Sequence, residues 1–428
     1  MFNLGRVLMV ATVMAAPLPY ASVQTWAWAS LALLAVLMLF VWGIACAQQG
    51  LVRIFWSPLY LPAGLFLLWA IIQFAGHFTM DYIGTREAVV KLATDGILFF
   101  LAGQFWAMSS EKKWGALGLA ITIYAFVIAF LAIVQFFSGP IYNYWNYWSV
   151  NSMWGAFGPY VNRDHYAGLM EMLIPLSATY VLSRPEGHPQ RNLLGFLVLL
   201  PIASLLLTGS RGGFISLLVE IIILGTVLFR VSLVSGRRSL LAIGALGITA
   251  AAILFFWIDP GQISKRLERV FDLKGSSDAS YGHREATALD TLLIFRDHPF
   301  LGTGVGTFAT AFPPYQTVPG DATWDHAHND YAEGLAETGM IGGVLILGAL
   351  IIFLSRAFRT LYAGPRNVAG WMQLGATIGA LGIVIHSFVD FNLRMPANAA
   401  WFAVCCSIAM LGIHASPEAR PNRSHQAN

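Results

Sequence analysis

Runs of about 18 or more apolar residues, the length that spans a bilayer as a helix, recur along this chain. Twelve are expected: 6–22, 26–47, 58–76, 88–107, 115–138, 164–182, 192–208, 212–229, 239–258, 339–360, 370–390 and 396–414. In lipid each backbone polar group must find its partner within the protein, so helices are the form such runs can take. Ten-residue alternating strands, the mark of a membrane barrel, are absent from the sequence. With 57% of residues hydrophobic, 11% charged and a mean hydropathy of +0.64, the chain is excluded from the soluble globular class. The expected fold is an all-α integral membrane protein of about twelve transmembrane helices.

The first run has a single basic residue, Arg6, before it, and no soluble domain follows. It reads as a membrane span rather than a signal peptide. Cys46, Cys405 and Cys406 all sit inside apolar runs, which fits neither a disulfide framework nor a zinc site. With the N-terminus inside, fourteen Lys and Arg residues fall in short inner segments and five in short outer ones, Arg86, Lys91, Arg163, Arg211 and Arg394. The positive-inside rule selects this orientation, with both termini cytoplasmic. Residues 1–258 then carry spans one to nine, 259–338 form one large outer loop, 339–414 carry spans ten to twelve, and 415–428 form a cytoplasmic tail. HREATALDTLLIFRDHPF in the large loop is apolar at helical spacing and reads as helix lying on the membrane surface.

Basic residues on the outer side run against the orientation rule, so each needs a local reason. Arg163 lies in YVNRDHYAG, Arg211 in LLLTGSRGGFISLL, Arg284 in GHRE of the large loop, and Arg394 in VDFNLRMPAN. Guanidinium groups match phosphate oxygens two at a time. A shared anionic headgroup or diphosphate would reconcile several arginines at one depth. The alternative for any one of them is a side chain reaching to lipid phosphates. The glycines around Arg211 permit a turn that bares backbone N–H groups to an anion.

The loop closes with WDHAHNDYAEGLAETGMIGG, residues 324–343. His328 is a candidate general base near neutral pH. Asp325, Asp330, Glu333 and Glu337 are candidates to orient it. His326 and His328 form an H-x-H pair that could chelate, but spacing offers no third ligand, and no metal is expected. Gly339 and Gly342 can serve close helix packing. LGTGVGTF contains G-x-G without the strand a dinucleotide site needs, and reads as a turn. His386 and Asp390 stand one helical turn apart, either as a structural pair or lining the site.

Together these residues resemble the O-antigen ligase and O-antigen polymerase superfamily. His328, Asn329, Gly339 and Gly342 meet the ligase-type pattern H-[N/S/Q]-x9-G-x-x-G. SRGG around Arg211, the run from HRE to RDHPFLGTGVGTF, and HSFVDFNLRMPAN are further matches, in family order, between about residues 160 and 400. The resemblance implies a metal-independent, inverting glycosyltransferase at the periplasmic face of the bacterial inner membrane. It would move a glycan from undecaprenyl diphosphate to an acceptor hydroxyl, without a cofactor. The acceptor would be lipid A–core for a ligase or another lipid-linked glycan for a polymerase, and the ligase pattern is favoured. His328 would be the base and Arg211 and Arg284 would hold the diphosphate, with Arg163 and Arg394 as further candidates. His326, Asn329, Asp330, Gly339, Gly342, His386 and Asp390 would support them. Membrane lipids are expected around the chain and no nucleic-acid partner. A transporter of lipid-linked or anionic substrates is the alternative of another class, although polar residues gathered at one face favour an enzyme over it.

Overall fold

The computed structural model describes residues 1–138, 156–185, 187, 189–235, 279–317 and 324–411, and within them every regular element is helical. In chain order the helices are α1 Phe2–Ala15, α2 Thr25–Gln49, α3 Tyr60–Ala75, α4 Tyr82–Trp106, α5 Glu111–Ser138, α6 Arg163–Leu182, α7 Pro189–Thr208, α8 Arg211–Ser235, α9 Ala279–Asp297, the single turn α10 Phe308–Ala311, α11 Asp330–Ala363, α12 Val368–His386 and α13 Pro396–Met410. Seven of them are long and apolar enough to cross a membrane, and α1, α3 and α13 are shorter apolar helices. The chain is therefore a multi-pass helical membrane protein. The expected ninth span, 239–258, lies outside the described residues.

The element ends follow local chemistry. Asp81, Asn162, Asn329 and Asn367 cap α4, α6, α11 and α12, each accepting hydrogen bonds from backbone N–H groups of the first turn. Pro396 opens α13, where its missing N–H costs nothing. On α2 the buried residues Leu31, Ala35 and Met38 recur at helical spacing, while Leu33 and Phe40 on the other side stay exposed. Apolar side chains left bare in this way suit contact with lipid.

Two helices form the centre. Nearly all of α6 and α12 is buried. Gly375 and Gly379 of α12 face α6 so closely that a Cβ would stand 2.8 Å from the Leu176 Cα and 2.9 Å from the Met172 Cα. Small residues at this four-residue interval let two backbones touch, which in lipid replaces the hydrophobic drive of water.

The span expected from residue 339 begins at a break within a longer helix. Helix α11 runs from Asp330 as two helical pieces that join at Gly339, whose φ is 64° and ψ −163°. The polar run therefore belongs to a helix, and Glu333 and Glu337 lie one turn apart on it. The kink has a partner. LGTGVGTF crosses α11 there, with the Thr303 and Gly304 N–H groups donating to the carbonyls of Ala336 and Glu337, and Met340 N–H donating to Pro299. A Cβ on Gly339 would strike the Phe300 carbonyl, and one on Gly302 (φ 70°) would strike the Glu337 carbonyl. Gln73 of α3 fixes the crossing, donating to Leu301 and Glu337 carbonyls at 2.7 and 2.9 Å and accepting from Val305 N–H. This is the turn that G-x-G spacing predicts, with a packing reason for each glycine.

Gly339→Ala must abandon a backbone region open almost only to glycine, at about 1–3 kcal/mol, and must also force the crossing backbones apart. Gly342→Ala meets the Thr338 side chain instead. Melting of the purified protein in detergent is expected to drop clearly for Gly339→Ala; an unchanged melting temperature would refute the crossing.

Candidate functional site

The N-termini of α6, α8, α11 and α13 and the C-terminus of α12 come together at one end of the bundle. Almost every polar residue singled out in the sequence is there, on three connected carboxylate centres.

The first centre is Asp164, on the first turn of α6. Arg284 of α9 donates to its Oδ2 at 2.9 Å, and Ser210 also hydrogen-bonds it. Arg163 is its chain neighbour, and Arg211 follows Ser210 as the first residue of α8. Arg284 and Arg163 thus act on one carboxylate at the N-terminus of α6, and Arg211 opens α8 directly after the serine that bonds it; at both helix starts the backbone favours negative charge. Gly213 explains the closeness, because a Cβ there would stand 2.7 Å from the Ala167 Cβ.

The second centre is Asp390, in the connection between α12 and α13. His328 presents Nδ1 to its Oδ1 at 3.3 Å, and His165 presents Nε2 to its Oδ2 at 3.6 Å. Burial works to raise this carboxyl, but His165, the hydrogen bond with His328, and Arg284 together hold it below the usual carboxylate range. An ionised carboxylate only accepts, so Nδ1 of His328 carries the proton and Nε2 is left as a base. The partner of His328 is therefore Asp390, from 62 residues along the chain, and none of the four nearer carboxylates that spacing offered. His328 itself has φ 51°, a left-handed conformation uncommon for histidine. Asn329 braces the turn, capping α11 while donating to the Phe388 carbonyl at 3.0 Å.

The third centre is the Glu333/Glu337 pair on α11. Arg394 spans both, Nε to Glu333 at 3.2 Å and a terminal nitrogen to Glu337 at 2.7 Å. His326 adds its Nδ1 to Glu333 at 2.9 Å. Burial opposes the charge on Arg394, but Glu333, Glu337 and Asp330 outweigh it and push its pKa above the ordinary value. Asp330 accepts from the Ser387 hydroxyl and the Leu393 N–H. His326 and His328 thus turn to different carboxylates. Among the described residues no three His, Cys, Asp or Glu side chains are arranged to hold a metal ion.

His386 and Asp390 do not pair with each other. His386 turns inward to Glu171 of α6, at 2.7 Å, and a Cβ on Gly212 would collide with its ring. Asp164, His165 and Glu171 went unnoticed in the sequence. D-H directly after Arg163, at the mouth of a span, and a glutamate in mid-span were the signals that could have found them.

Burial opposes protonation of His326, but the charge of Glu333 and the hydrogen bond with it raise its pKa above the ordinary 6.5. A raised folded-state value means stability fully present below about pH 6.5 and lost as pH rises through the folded-state value. Melting temperature is expected to fall over that alkaline-going interval, and His326→Gln to flatten the fall; a wild-type slope in the variant would count against the pair.

An apolar helical bundle with this ion-paired, histidine-bearing cluster at one end defines a multi-pass membrane protein with a polar site at that end. Residues 196–347, about a third of the chain, match the family model described as O-antigen ligase, and in that stretch the chain is similar to that family. The matched stretch carries Arg211, Arg284, His328, Gly339 and Gly342. No curated protein matches the chain.

Proposed function

We infer that the chain is an inverting, metal-independent glycosyltransferase of the O-antigen ligase type. It takes a glycan from undecaprenyl diphosphate and passes it to a hydroxyl of lipid A–core at the periplasmic face of the inner membrane. One observation carries this reading: a histidine hydrogen-bonded to a buried carboxylate, on which Arg284 also acts, shares one end of the bundle with Arg163 and Arg211 at two helix N-termini. The family match supports the same class.

In this reading Nε2 of His328 removes the proton of the acceptor hydroxyl while that oxygen attacks the anomeric carbon. The bond from that carbon to the diphosphate breaks, and the leaving diphosphate gains the negative charge. Arg211, Arg284 and Arg163 meet the charge where it develops, which lowers the barrier without a metal. The proton leaves the His328 ring to water or to the diphosphate, so no cofactor is consumed. Arg394 is engaged by two glutamates, and we give it a positioning role. The exposed apolar faces leave room for the lipid tail among the helices.

Arg211→Ala and Arg284→Ala are each expected to reduce transfer at least about 100-fold, the scale of losing one charge-stabilising donor, with folded protein retained. The assay is purified protein with undecaprenyl diphosphate-linked glycan, with lipid A–core or with no added acceptor. Product on lipid A–core supports the ligase. Lengthened lipid-linked glycan without added acceptor means a polymerase instead. Glu171 and Glu220, buried within the bundle, are the observation on the side of a transporter, and no transfer in any arm with a proven donor would select it.

A further inference from the structure

The site holds a second histidine on the same carboxylate as the base. His165 is the third residue of α6 and only 5% exposed. Its Nε2 faces Asp390 Oδ2 at 3.6 Å, and neither atom has another hydrogen-bond partner among the described residues. The remaining carboxylate oxygen is the one that His328 uses. The His165 backbone is anchored as well: Asn398 donates to its carbonyl at 2.9 Å, and Tyr160 and Asn392 hold Asn398. Phe391 fits between the rings, meeting His165 and His328 edge-on at 4.5 and 4.7 Å and stacking on His326 at 4.4 Å. So the space between the two histidines is filled, and Asp390 has little room to rotate.

An unpaired polar nitrogen and an unpaired carboxylate oxygen, both buried, are costly unless they serve each other. At 3.6 Å the pair is slightly longer than an ordinary hydrogen bond. Such contacts tighten commonly when substrate binds.

We propose that His165 is a positioning residue for the transfer reaction: its Nε2–H holds Asp390 in the rotamer that orients His328 and takes up part of the carboxylate's charge. This rests on His328 being the base. The arrangement sets how strongly Asp390 favours the protonated His328 ring. With Oδ2 engaged by His165, less of the carboxylate's negative charge acts on His328. Other groups acting here are Asp164, His326 and His328 on His165, and Arg284, His386 and Asp164 on Asp390.

The test uses full-length protein in nanodiscs, with undecaprenyl diphosphate-linked glycan and lipid A–core, and measures kcat and KM against pH. The variants are His165→Leu, His165→Gln, His165→Asn and His328→Ala. Gln can reach Asp390 with an N–H; Leu cannot donate and Asn is too short, so Asn stands in should Leu not fold. For Leu or Asn, kcat is expected to fall about 100-fold, the scale of a misplaced catalytic group, with both KM values held. The acid limb of the profile should move to higher pH, because the whole Asp390 charge then acts on His328. Gln should recover most of kcat and the wild-type limb. A folded Leu or Asn variant with an unmoved limb overturns the proposal, and so does a Gln variant no better than Leu. If His328→Ala transfers normally, the base lies elsewhere and the proposal falls with that assignment, a result the His165 variants alone could not produce.

Discussion

His328→Ala is expected to lower transfer by about 10²- to 10⁴-fold, the range for removing a positioned general base, without loss of folded protein. The side chain is 15% exposed and makes one hydrogen bond, to Asp390. Its removal leaves little apolar area uncovered. Asp390→Asn is the more informative partner experiment. The amide keeps the shape but can present an N–H to His328, which would favour the tautomer with its proton on Nε2 and no lone pair for the acceptor. It should therefore approach the alanine variant in kcat with acceptor KM kept. Lipid-linked donor and acceptor in nanodiscs, with kcat and KM measured separately, give the answer. A His328→Ala enzyme at wild-type rate removes the base, and a fully active Asp390→Asn removes the orienting carboxylate while leaving the base in place.

Arg394→Met is expected to be the most destabilising single change at the site. Both of its glutamates are 1% exposed at the side chain, and among the described residues the substitution leaves the two carboxylates with His326, on Glu333, as their one remaining ion-pair partner within 4.0 Å. Breaking a buried ion pair from one side costs about 3–5 kcal/mol, enough to deplete folded protein from the membrane. The signature is rescue. Glu333→Gln and Glu337→Gln together with Arg394→Met remove the stranded charges and should restore much of the yield, as read by detergent-solubilised monodisperse protein. If the single variant is as abundant as wild type, the arginine is not the keystone of this centre.

These two expectations separate what a sequence shows from what it hides. The apolar runs mark helices because lipid leaves the backbone no other solution, and all the described runs became helices at nearly the expected positions. The exception is instructive. At α11 the polar stretch hid nine helical residues, because charged side chains facing Arg394 interrupt the apolar signal that defines a span. The arginines were legible, since the orientation rule disfavours each on the side where the alternation of spans puts it. Their counterions were not. Asp164 serves Arg284 across 120 residues and Glu171 serves His386 across 215. Spacing along a helix reports only neighbours one turn apart, so it suggested His386 with Asp390, which the packing of α6 against α12 separates.

The kink at Gly339 gives α11 two mechanical halves. The upper nine residues are bolted to Arg394, His326 and the crossing segment. The lower half shows Val344, Leu347, Ile351 and Phe358 outward. A bilayer that is thicker or thinner than the protein prefers will lean on that greasy half first. The clamp at the glycine stands between that strain and the turn that carries His328.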